Sequence, residues 1–487
     1  MRVASVLSAP LTILLVAAAT AHAEDPPVEC GGRVGPDLIV GEISGVANYS
    51  ADGEYEALAL GADLSNVGST WVNWFAFTNQ HPVNGGNLFR YRVVDGVSRF
   101  EQLGQSWLKH AFFALSTLGP CTDCQPTDGT HLGVNCTDPS TASRGGTQSG
   151  LGPKWQVNPH TGVFPYPPAN PAWSGSTARR IRVAIGELEP AHSGNGDRIR
   201  YYGEQVCIAP DDAADGNGKN NASHRRLTVA GSGTAWSFSL SESTQRQRAA
   251  IYAWQDADPG VSEVEIDVPE VGPHAARMIL AYKVTPLAGG RFDYEYALYN
   301  QNSDRAANSF SVPTSPCVAI DSYGFHDVDY HSGDGPGNLD FDGTDWAFAR
   351  VAGAATWRGP ARESVSGNAL RWGTLYNFRF VCDAAPVDGL VDVGLFKAGD
   401  AGDPDAVRVR AAVPAETVDR RGDADCDGDV DNFDIDAFVL ALAGGESAWA
   451  AQYSCGYFCA CDVNRDGVVN NFDIDPFVAC LVNGACP

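Results

Sequence analysis

The stretch ILAYKVTPLAGGRFDYEYALY, residues 279–299, predicts a β-hairpin. Its two outer runs are rich in β-branched and aromatic residues, which favour strands. The central PLAGG supplies the proline and the paired glycines of a tight turn. Three more strand-like runs follow at short intervals: WAFARVA (346–352), LRWGTLYNFRF (370–380) and LVDVGLF (390–396). This spacing predicts a β-sandwich over residues 228–400.

Residues 30–227 are predicted to form a second β-rich region, of mixed character. Strand-like runs such as RIRVAIG (180–186) alternate here with long stretches rich in Gly, Pro and Asn. One buried helix is predicted, SWLKHAFFAL at 106–115, with Ser106 as its N-cap and a wide apolar face. The whole chain has 53 Gly and 29 Pro among 487 residues, a balance that favours strands and turns. The predicted fold class is therefore mainly β, with a small α-helical domain at the C-terminus.

The N-terminus has the pattern of a secretory signal peptide. One Arg precedes an apolar run, and the small-residue sequence Ala21-His22-Ala23 follows it, so cleavage is expected after residue 23. The apolar run is too short to span a bilayer, and no later segment is long enough. We therefore expect a secreted or cell-surface protein without a membrane span.

The protein is strongly acidic. Its formal net charge is −26, which becomes −27 when Arg2 leaves with the signal peptide. Such a surface repels nucleic acid and anionic lipid and suits cations or neutral partners. Nucleic-acid binding is excluded on this ground.

The 13 cysteines indicate disulfides, because the protein is predicted to be exported. Six of them lie in the last 62 residues, and their pairing is open. The other seven are an odd number, so one is free or pairs outside its domain. The sequence CTDC at 121–124 together with Cys136 offers three zinc ligands, but no fourth ligand stands at the spacing of a zinc finger.

Two segments near the C-terminus repeat one pattern: DADCDGDVDNFD (423–434) and DVNRDGVVNNFD (462–473). Each has oxygen-bearing side chains at loop positions 1, 3, 5, 9 and 12 and Gly at position 6, as in an EF-hand-type calcium loop. The first set of expected ligands is Asp423, Asp425, Asp427, Asp431 and Asp434, with the backbone oxygen of Asp429. The second is Asp462, Asn464, Asp466, Asn470 and Asp473, with the backbone oxygen of Val468. Two Ca²⁺ sites are therefore predicted.

A short amphipathic helix is predicted after each loop. Apolar residues recur at helical spacing, as Ile435, Phe438, Val439 and Leu442 and again as Ile474, Phe477, Val478 and Leu481. Neither half buries its apolar face alone, so the two are expected to pack together. Because the carboxylates of each loop repel one another without a cation, we expect this tail to become rigid on calcium binding. The chain thus divides into the signal peptide (1–23), the β-rich region (30–227), the sandwich (228–400), a linker (401–422) and a calcium-binding domain (423–487).

The repeated tail resembles a dockerin of type I, with two loop-helix calcium units at the C-terminus of an exported bacterial protein. The resemblance implies docking onto a cohesin-like or cell-surface protein, and dockerins often carry enzymes that act on polysaccharides. Many dockerins carry small hydroxyl residues at the positions that read the cohesin, and this sequence departs from that pattern with Asn432-Phe433 and Asn471-Phe472. Strings such as GFHDVDYHSG and ALRWGTLYNF in the body resemble an uncharacterised family of exported proteins, planctomycete among them, which implies no reaction.

Catalytic candidates are few, since the body contains no GxSxG, HExxH or phosphate-loop motif. FHDVDYH at 325–331, as a strand, places Asp327, Asp329 and His331 on one face, where they suit a cation or acid–base chemistry. The alternative is a wet acidic face leading into SGDGPGNLDFDGTD (332–345), and a structural calcium site is possible near 327–345. A second candidate group is His81 with Lys109 and His110, and the alternative for these is hydrogen-bonded structural residues.

Two functions compete at this point. The first is an exported calcium-binding surface or matrix protein, attached through its tail. The second is a secreted polysaccharide-degrading hydrolase carried by a dockerin. Aromatic residues in 150–173, including Trp155, Phe164 and Trp173, suit either a sugar-stacking platform or a packed surface loop.

Overall fold

The computed structural model describes residues 28–190, 198–351, 353–415, 420–483 and 486. The predicted signal peptide at 1–23 lies outside these residues. Among them, no helix has the length and apolar character needed to cross a bilayer. The fold is mainly β, as the sequence predicts, and its helices of more than five residues lie in the C-terminal tail.

The first part of the chain is built around one large antiparallel sheet. The strands of this part of the chain are β1 (Leu38–Glu42), β2 (Val46–Asp52), β3 (Tyr55–Leu60), β4 (Asp63–Asn66), β5 (Val72–Asn73), β6 (Val83–Val94), β7 (Val97–Gln105), β8 (Leu108–His110), β9 (His131–Leu132), β10 (Thr137–Asp138), β11 (Leu151–Gly152), β12 (Ile181–Ala184), β13 (Ile199–Ile208), β14 (Ala222–Ser232) and β15 (Ala235–Leu240). The main path of the sheet is β15-β14-β13-β6-β7-β12-β3-β2. Strands β8 and β11 extend β6, β1-β4-β10 form a small separate sheet, and β5 pairs with β9. Short helices α1 (Ala142–Gly145), α2 (Pro210–Ala214) and α3 (Ala253–Ala257) lie in the connections.

The large sheet curls until its two edge strands meet. The Asn48 side chain on β2 donates to the carbonyl of Phe238 on β15 (3.0 Å) and accepts from the Phe238 N–H (2.7 Å). This contact covers backbone groups that an open sheet edge would expose. The sheet is therefore barrel-like, and we call it the barrel.

The second part of the chain is a β-sandwich of two five-stranded sheets. Its strands are β16 (Ser262–Val268), β17 (Ala276–Leu287), β18 (Arg291–Asn300), β19 (Ala307–Pro313), β20 (Ile320–His326), β21 (Ala347–Val351), β22 (Ala354–Arg358), β23 (Thr374–Cys382), β24 (Pro386–Leu395) and β25 (Ala406–Pro414). The sheets have the orders β16-β17-β18-β23-β20 and β21-β22-β19-β24-β25. The predicted hairpin is confirmed as β17 and β18, which pair from Met278 with Asn300 to Leu287 with Arg291. Gly289 and Gly290 form its turn with positive φ angles, which favour glycine.

Both faces of the first sandwich sheet are buried. On β17, Met278 and Leu280 face the sandwich core, whereas Ile279 and Ala281 pack in a second cluster with barrel residues such as Phe89. Residues of β6 alternate in the same way, with Leu88 in the core on one face of the barrel sheet and Phe89 against the sandwich. The side-chain alternation of strands thus gives each of these strands two apolar surfaces. Barrel and sandwich are joined by a continuous hydrophobic interface.

The tail folds as a small helical unit. It contains α4 (Asp434–Trp449), α5 (Tyr457–Cys461) and α6 (Ile474–Asn483). The rings of Phe438 and Phe477, which occupy equivalent places in the two repeats, stack with centroids 4.0 Å apart. A disulfide between Cys317 and Cys459 ties this unit to the connection between β19 and β20. The two repeats therefore pack on each other, as the sequence predicts.

The predicted helix at 106–115 is wrong. Leu108–His110 is the short strand β8, which pairs with β6 and β11. Ser106, the predicted N-cap, instead accepts a hydrogen bond from the Gly86 N–H of β6 (2.9 Å). Pairing with two neighbouring strands outweighs the modest helical preference of this stretch.

Three further predicted boundaries, those of a strand, the sandwich and the linker, also differ from the structure. Strand β20 ends at His326, so FHDVDYH at 325–331 is not one continuous strand. Strands β14 and β15 belong to the barrel, so the first strand of the sandwich is β16 rather than one near residue 228. The predicted linker, 401–422, contains β25, which pairs with β24 over nine residue pairs. Its AVRVRAAV alternation carries the period of a half-buried strand.

Candidate functional site

The first C-terminal loop, 423–434, turns its oxygen atoms towards one point. The Asp434 carboxylate accepts from the Asp425 N–H (3.0 Å) and the Asp431 N–H (2.8 Å), which closes the loop on its last residue. Asp423 accepts from the Gly428 N–H (3.3 Å). Ligand oxygens of Asp423, Asp425 and Asp434 all lie within 4.8 Å of one another.

The second loop, 462–473, repeats this geometry residue for residue. Asp473 accepts from the Asn464 N–H (3.0 Å) and the Asn470 N–H (2.8 Å), and Asp462 accepts from the Gly467 N–H (2.9 Å). The remaining oxygen-bearing side chains accept from the backbone two residues further on, in both loops. Two unlike sequences thus reach one loop conformation.

The loop conformation depends on the glycine at position 6. Gly428 and Gly467 have φ angles of 102° and 86°, in the region that glycine enters without steric cost. The residues at position 4, Cys426 and Arg465, also have positive φ angles, of 70° and 62°. Each loop therefore bends twice within three residues, which gathers the flanking side chains around one centre.

The oxygen set of each loop fits a hard cation. Asp423 and Asp434 of the first loop, and Asp462 and Asp473 of the second, are buried. Burial raises the pKa of Asp434 and of Asp462, and repulsion, first from Asp427, raises the pKa of the exposed Asp429. Such carboxylates are destabilised while they lack a positive partner. Ca²⁺ binds six to eight oxygens of this kind, and the expected ligands Asp423, Asp425, Asp427, Asp429, Asp431, Asp434, Asp462, Asn464, Asp466, Val468, Asn470 and Asp473 supply them.

The helical face predicted after each loop is only partly buried. Phe438 and Phe477 are buried, but Ile435 and Val439 are exposed, and so are Ile474 and Val478. The loops end in exposed rings, since Phe433 is 75% exposed and Phe472 is 77% exposed. Ala437 and Ala441 are buried instead, in the same cluster as the stacked rings of Phe438 and Phe477. Equivalent apolar residues of both repeats thus remain on the surface.

The candidate group of His81, Lys109 and His110 is divided in the structure, because the two histidines meet and the lysine does not join them. His81 Nε2 and His110 Nδ1 are 2.9 Å apart, and both rings pack against Phe164. Burial lowers the pKa of His81 and lowers that of His110 to about 3, so this is a neutral pair in which His81 is buried and His110 is half-buried. Lys109 points the other way and donates to Ser140. Phe164, one of the aromatic residues of the predicted sugar-stacking segment, therefore belongs to the core. These contacts of the histidines are structural.

The acidic candidates of the sandwich are bonded to separate partners. Asp327 accepts from Asn368, and Asp329 accepts from Tyr55 (3.3 Å). His331 is buried, with Nε2 2.9 Å from the Gln105 carbonyl and Nδ1 accepting from the Arg179 N–H (3.2 Å). Among the described residues, the one group of three His, Cys, Asp or Glu ligands within 4.8 Å is the set in the first C-terminal loop. The additional calcium site near 327–345 stays a prediction.

The cysteines of the zinc alternative form disulfides. Cys30 pairs with Cys121, and Cys124 pairs with Cys136. The tail contains Cys426–Cys455 and Cys480–Cys486. The odd body cysteine is explained by Cys317, which pairs outside its domain, while Cys207, Cys382 and Cys461 are free and buried. The odd count was the only sign in the sequence of this link between body and tail.

Comparisons with known proteins add little. No protein-family model matches the chain, and no curated protein does. One solved structure, from a study of the inhibition of an exo-β-D-glucosaminidase, aligns with 73% of this chain at 10% identity and a TM-score of 0.15. The alignment covers 25% of that protein's chain. A similarity this low carries no argument about fold or function.

Proposed function

We propose that this is an exported calcium-binding surface or matrix protein, whose dockerin-like C-terminal module attaches the β-rich body to a partner. The observation that carries the proposal is the repeated loop. Asp434 and Asp473, at position 12, accept backbone hydrogen bonds from positions 3 and 9 in the same way. Chance similarity does not explain matched hydrogen bonds in two loops of different charge.

The calcium role is supported by the donor chemistry. Five acids serve as expected ligands in the first loop and three in the second, with two asparagines in place of the others. Oxygen ligands of this kind suit Ca²⁺, whereas softer metals prefer thiolate or imidazole. Calcium is therefore proposed to hold both loops in shape and to stabilise the small helical unit behind them.

The attachment role is supported by the exposed residues at matched places. Phe433 and Phe472 stand at the positions that the dockerin resemblance assigns to partner recognition, and both are largely exposed. Ile435 and Ile474, two residues further along the chain in each repeat, are also exposed. Exposed apolar residues grouped in this way are typical of an interaction site. A cohesin-like or cell-surface protein is the proposed partner.

Attachment is tested with the purified full-length protein and a cell-envelope fraction, mixed in CaCl₂ or in EDTA and separated by sedimentation. We expect retention in calcium and release in EDTA. The double variant Phe433→Asp with Phe472→Asp should lose retention and keep its calcium binding. Equal retention in calcium and EDTA would reject the attachment role. Export is checked by sequencing the N-terminus of the secreted protein, which should begin at Glu24.

The hydrolase alternative gains no support from its named residues. His81 and His110 form a neutral pair bonded to each other, and Asp327, Asp329 and His331 bond to different protein groups. A hydrolase needs an acid and a base on opposite sides of one substrate. We assign none of these residues a catalytic role.

A further inference from the structure

A cleft at the junction of barrel and sandwich has the features of a small-molecule site. It encloses about 440 Å³, within the range of about 300–1,000 Å³ that is common for ligand pockets. One wall is the 3₁₀ turn Lys154–Gln156 of the barrel region, and the opposite wall contains Asp334, Arg371 and Phe396 of the sandwich. The two parts of the body thus build it together.

Polar atoms in the lining lack protein partners. The buried Oδ1 of Asp334, the Nη1 of Arg371 and the Nε1 of Trp155 have no hydrogen-bond partner. Asp334 itself is 2% exposed, so its free oxygen atom is not satisfied by bulk solvent. Buried polar groups are almost always hydrogen-bonded, so these three atoms require an explanation. They offer one acceptor and two donors to an occupant of the cleft.

The other walls are aromatic. The Arg371 guanidinium lies 3.8 Å from the Phe341 ring centroid and 5.2 Å from that of Phe396, which holds its plane in place. The Lys154 ammonium lies 5.5 Å from the Trp372 ring and donates to Gln105 (3.0 Å). Trp372 and Phe396 are buried, whereas Trp155 and Phe341 are half-buried, and exposed ring surface of this kind packs well against the C–H face of another ring. The cleft therefore combines flat apolar surfaces with fixed donors and acceptors.

The charge of the lining decides the ligand class. Three cations face the cleft, Lys154, Arg371 and Lys397, and three carboxylates, Asp304, Asp334 and Glu363. Lys397 and Asp304 neutralise each other in an ion pair (2.8 Å), and Glu363 accepts from the Ala398 N–H (3.1 Å). A balanced lining does not favour a phosphate, a free carboxylate or a divalent cation. It suits a neutral molecule that both donates and accepts hydrogen bonds.

We propose that this cleft binds a neutral carbohydrate residue, with a C–H face of the sugar against the aromatic walls and its hydroxyl groups on Asp334 and Arg371. A hydroxyl group both donates and accepts, so adjacent sugar hydroxyls satisfy the Asp334 oxygen and the Arg371 nitrogen at once. The inference does not rest on the proposed function of the tail.

The test is a titration of the full-length protein, in constant CaCl₂, followed by tryptophan fluorescence and by saturation-transfer NMR. The neutral probes are glucose, galactose, xylose, N-acetylglucosamine and their common disaccharides, and the charged probes are glucuronate and inorganic phosphate. We expect saturable one-to-one binding of at least one neutral probe and weaker binding of the charged ones. Absence of saturable binding by every neutral probe up to roughly 10 mM, or tighter binding of a charged probe, would overturn the proposal.

Matched variants locate the binding. Asp334→Asn and Trp155→Ala should each weaken it by about ten-fold or more. The controls Asp345→Asn and Trp71→Ala alter an acid and an exposed tryptophan outside the lining and should leave it unchanged. Near-UV circular dichroism confirms that each variant is folded, and the isosteric Asp334→Asn carries the test should Trp155→Ala unfold. Unchanged affinity in folded Asp334→Asn would contradict the assignment. Binding should persist when both calcium loops are disabled, which separates this proposal from that for the tail.

Discussion

The body and the tail are stabilised by different means. The sandwich and barrel bury large side chains in extended clusters, among them Trp74, Trp254 and Trp357. Among the described residues, the tail cluster has ten buried members, and four of them are alanines: Ala424, Ala437, Ala441 and Ala460. The same cluster buries Phe438, Trp449 and Phe477, but it is much smaller than the clusters of the body, and units of this size commonly need metals or disulfides. Conditions that leave one of the two regions folded should therefore unfold the other.

Removal of calcium should produce the largest effect, and only in the tail. In EDTA the loop carboxylates are left without a cation, so we expect the tail to lose its ordered packing well below the unfolding temperature of the body. Scanning calorimetry of the full-length protein should then show a separate low-temperature transition that merges or moves upward in CaCl₂. One unchanged transition in both conditions would contradict the difference between the regions.

A cavity made in the sandwich core should destabilise the body and leave the tail unaffected. Trp357 is fully buried and contacts Phe310, Phe348 and Phe378. Trp357→Ala should lower the free energy of unfolding of the body by about 3–5 kcal/mol, measured by chemical denaturation, and should leave calcium affinity unchanged. The control Trp173→Ala, at a more exposed tryptophan, should cost far less. Loss of calcium binding in Trp357→Ala would show that the two regions are not independent.

Acid should weaken the body through a buried ion pair. Burial alone would raise the pKa of Glu101, but attraction to Arg90, followed by His326 and Arg92, lowers it to about 2. Because this value is below the ordinary 4.5, the stabilisation is present above pH 4.5 and is lost as the pH falls towards 2. It amounts to at most about 3 kcal/mol.

Denaturation of wild type and Glu101→Gln at several pH values measures this contribution. The difference in unfolding free energy between the two proteins should be largest near pH 7 and should shrink steadily below pH 4.5. A difference that is independent of pH would show that Glu101 contributes through packing rather than through its charge.

The smallest effect should distinguish the two loops. Asp425→Asn reduces the five ligand acids of the first loop to four, and Asn464→Asp raises the three of the second loop to four. We expect Asp425→Asn to weaken calcium binding by about 1 kcal/mol while it stabilises the calcium-free tail, because repulsion falls. Asn464→Asp should strengthen calcium binding and destabilise the calcium-free tail. Calcium titrations and melts in EDTA report both quantities, and changes of the same sign in both would oppose this explanation.

Much of the fold was predictable because periodicity is local. The hairpin of β17 and β18 and the stacking of the two tail repeats follow from alternation, turn residues and helical spacing. The helix predicted at 106–115 failed because pairing with β6 and β11 is a tertiary effect. The predicted linker at 401–422 contains strand β25, although the alternation of this strand is visible in the sequence.

The candidate sites also differ in whether their residues are close together in the sequence. The two candidate calcium loops are visible in the sequence because all the expected ligands of each lie within twelve consecutive residues. The cleft could not be found, since Lys154, Asp334 and Arg371 are far apart in the chain and meet only when barrel and sandwich pack together. A lysine within the apolar GLGPKWQV segment was its single local indication.

The most direct test of the central claim is a calorimetric titration of the EDTA-treated full-length protein with CaCl₂. We predict two bound ions per chain, both lost in the double variant Asp434→Asn with Asp473→Asn. The exposed pair Asp436→Asn with Asp475→Asn, two residues further along each helix, should keep both. No calcium binding by the wild type, or binding that the Asp434 and Asp473 variant retains in full, would contradict the account.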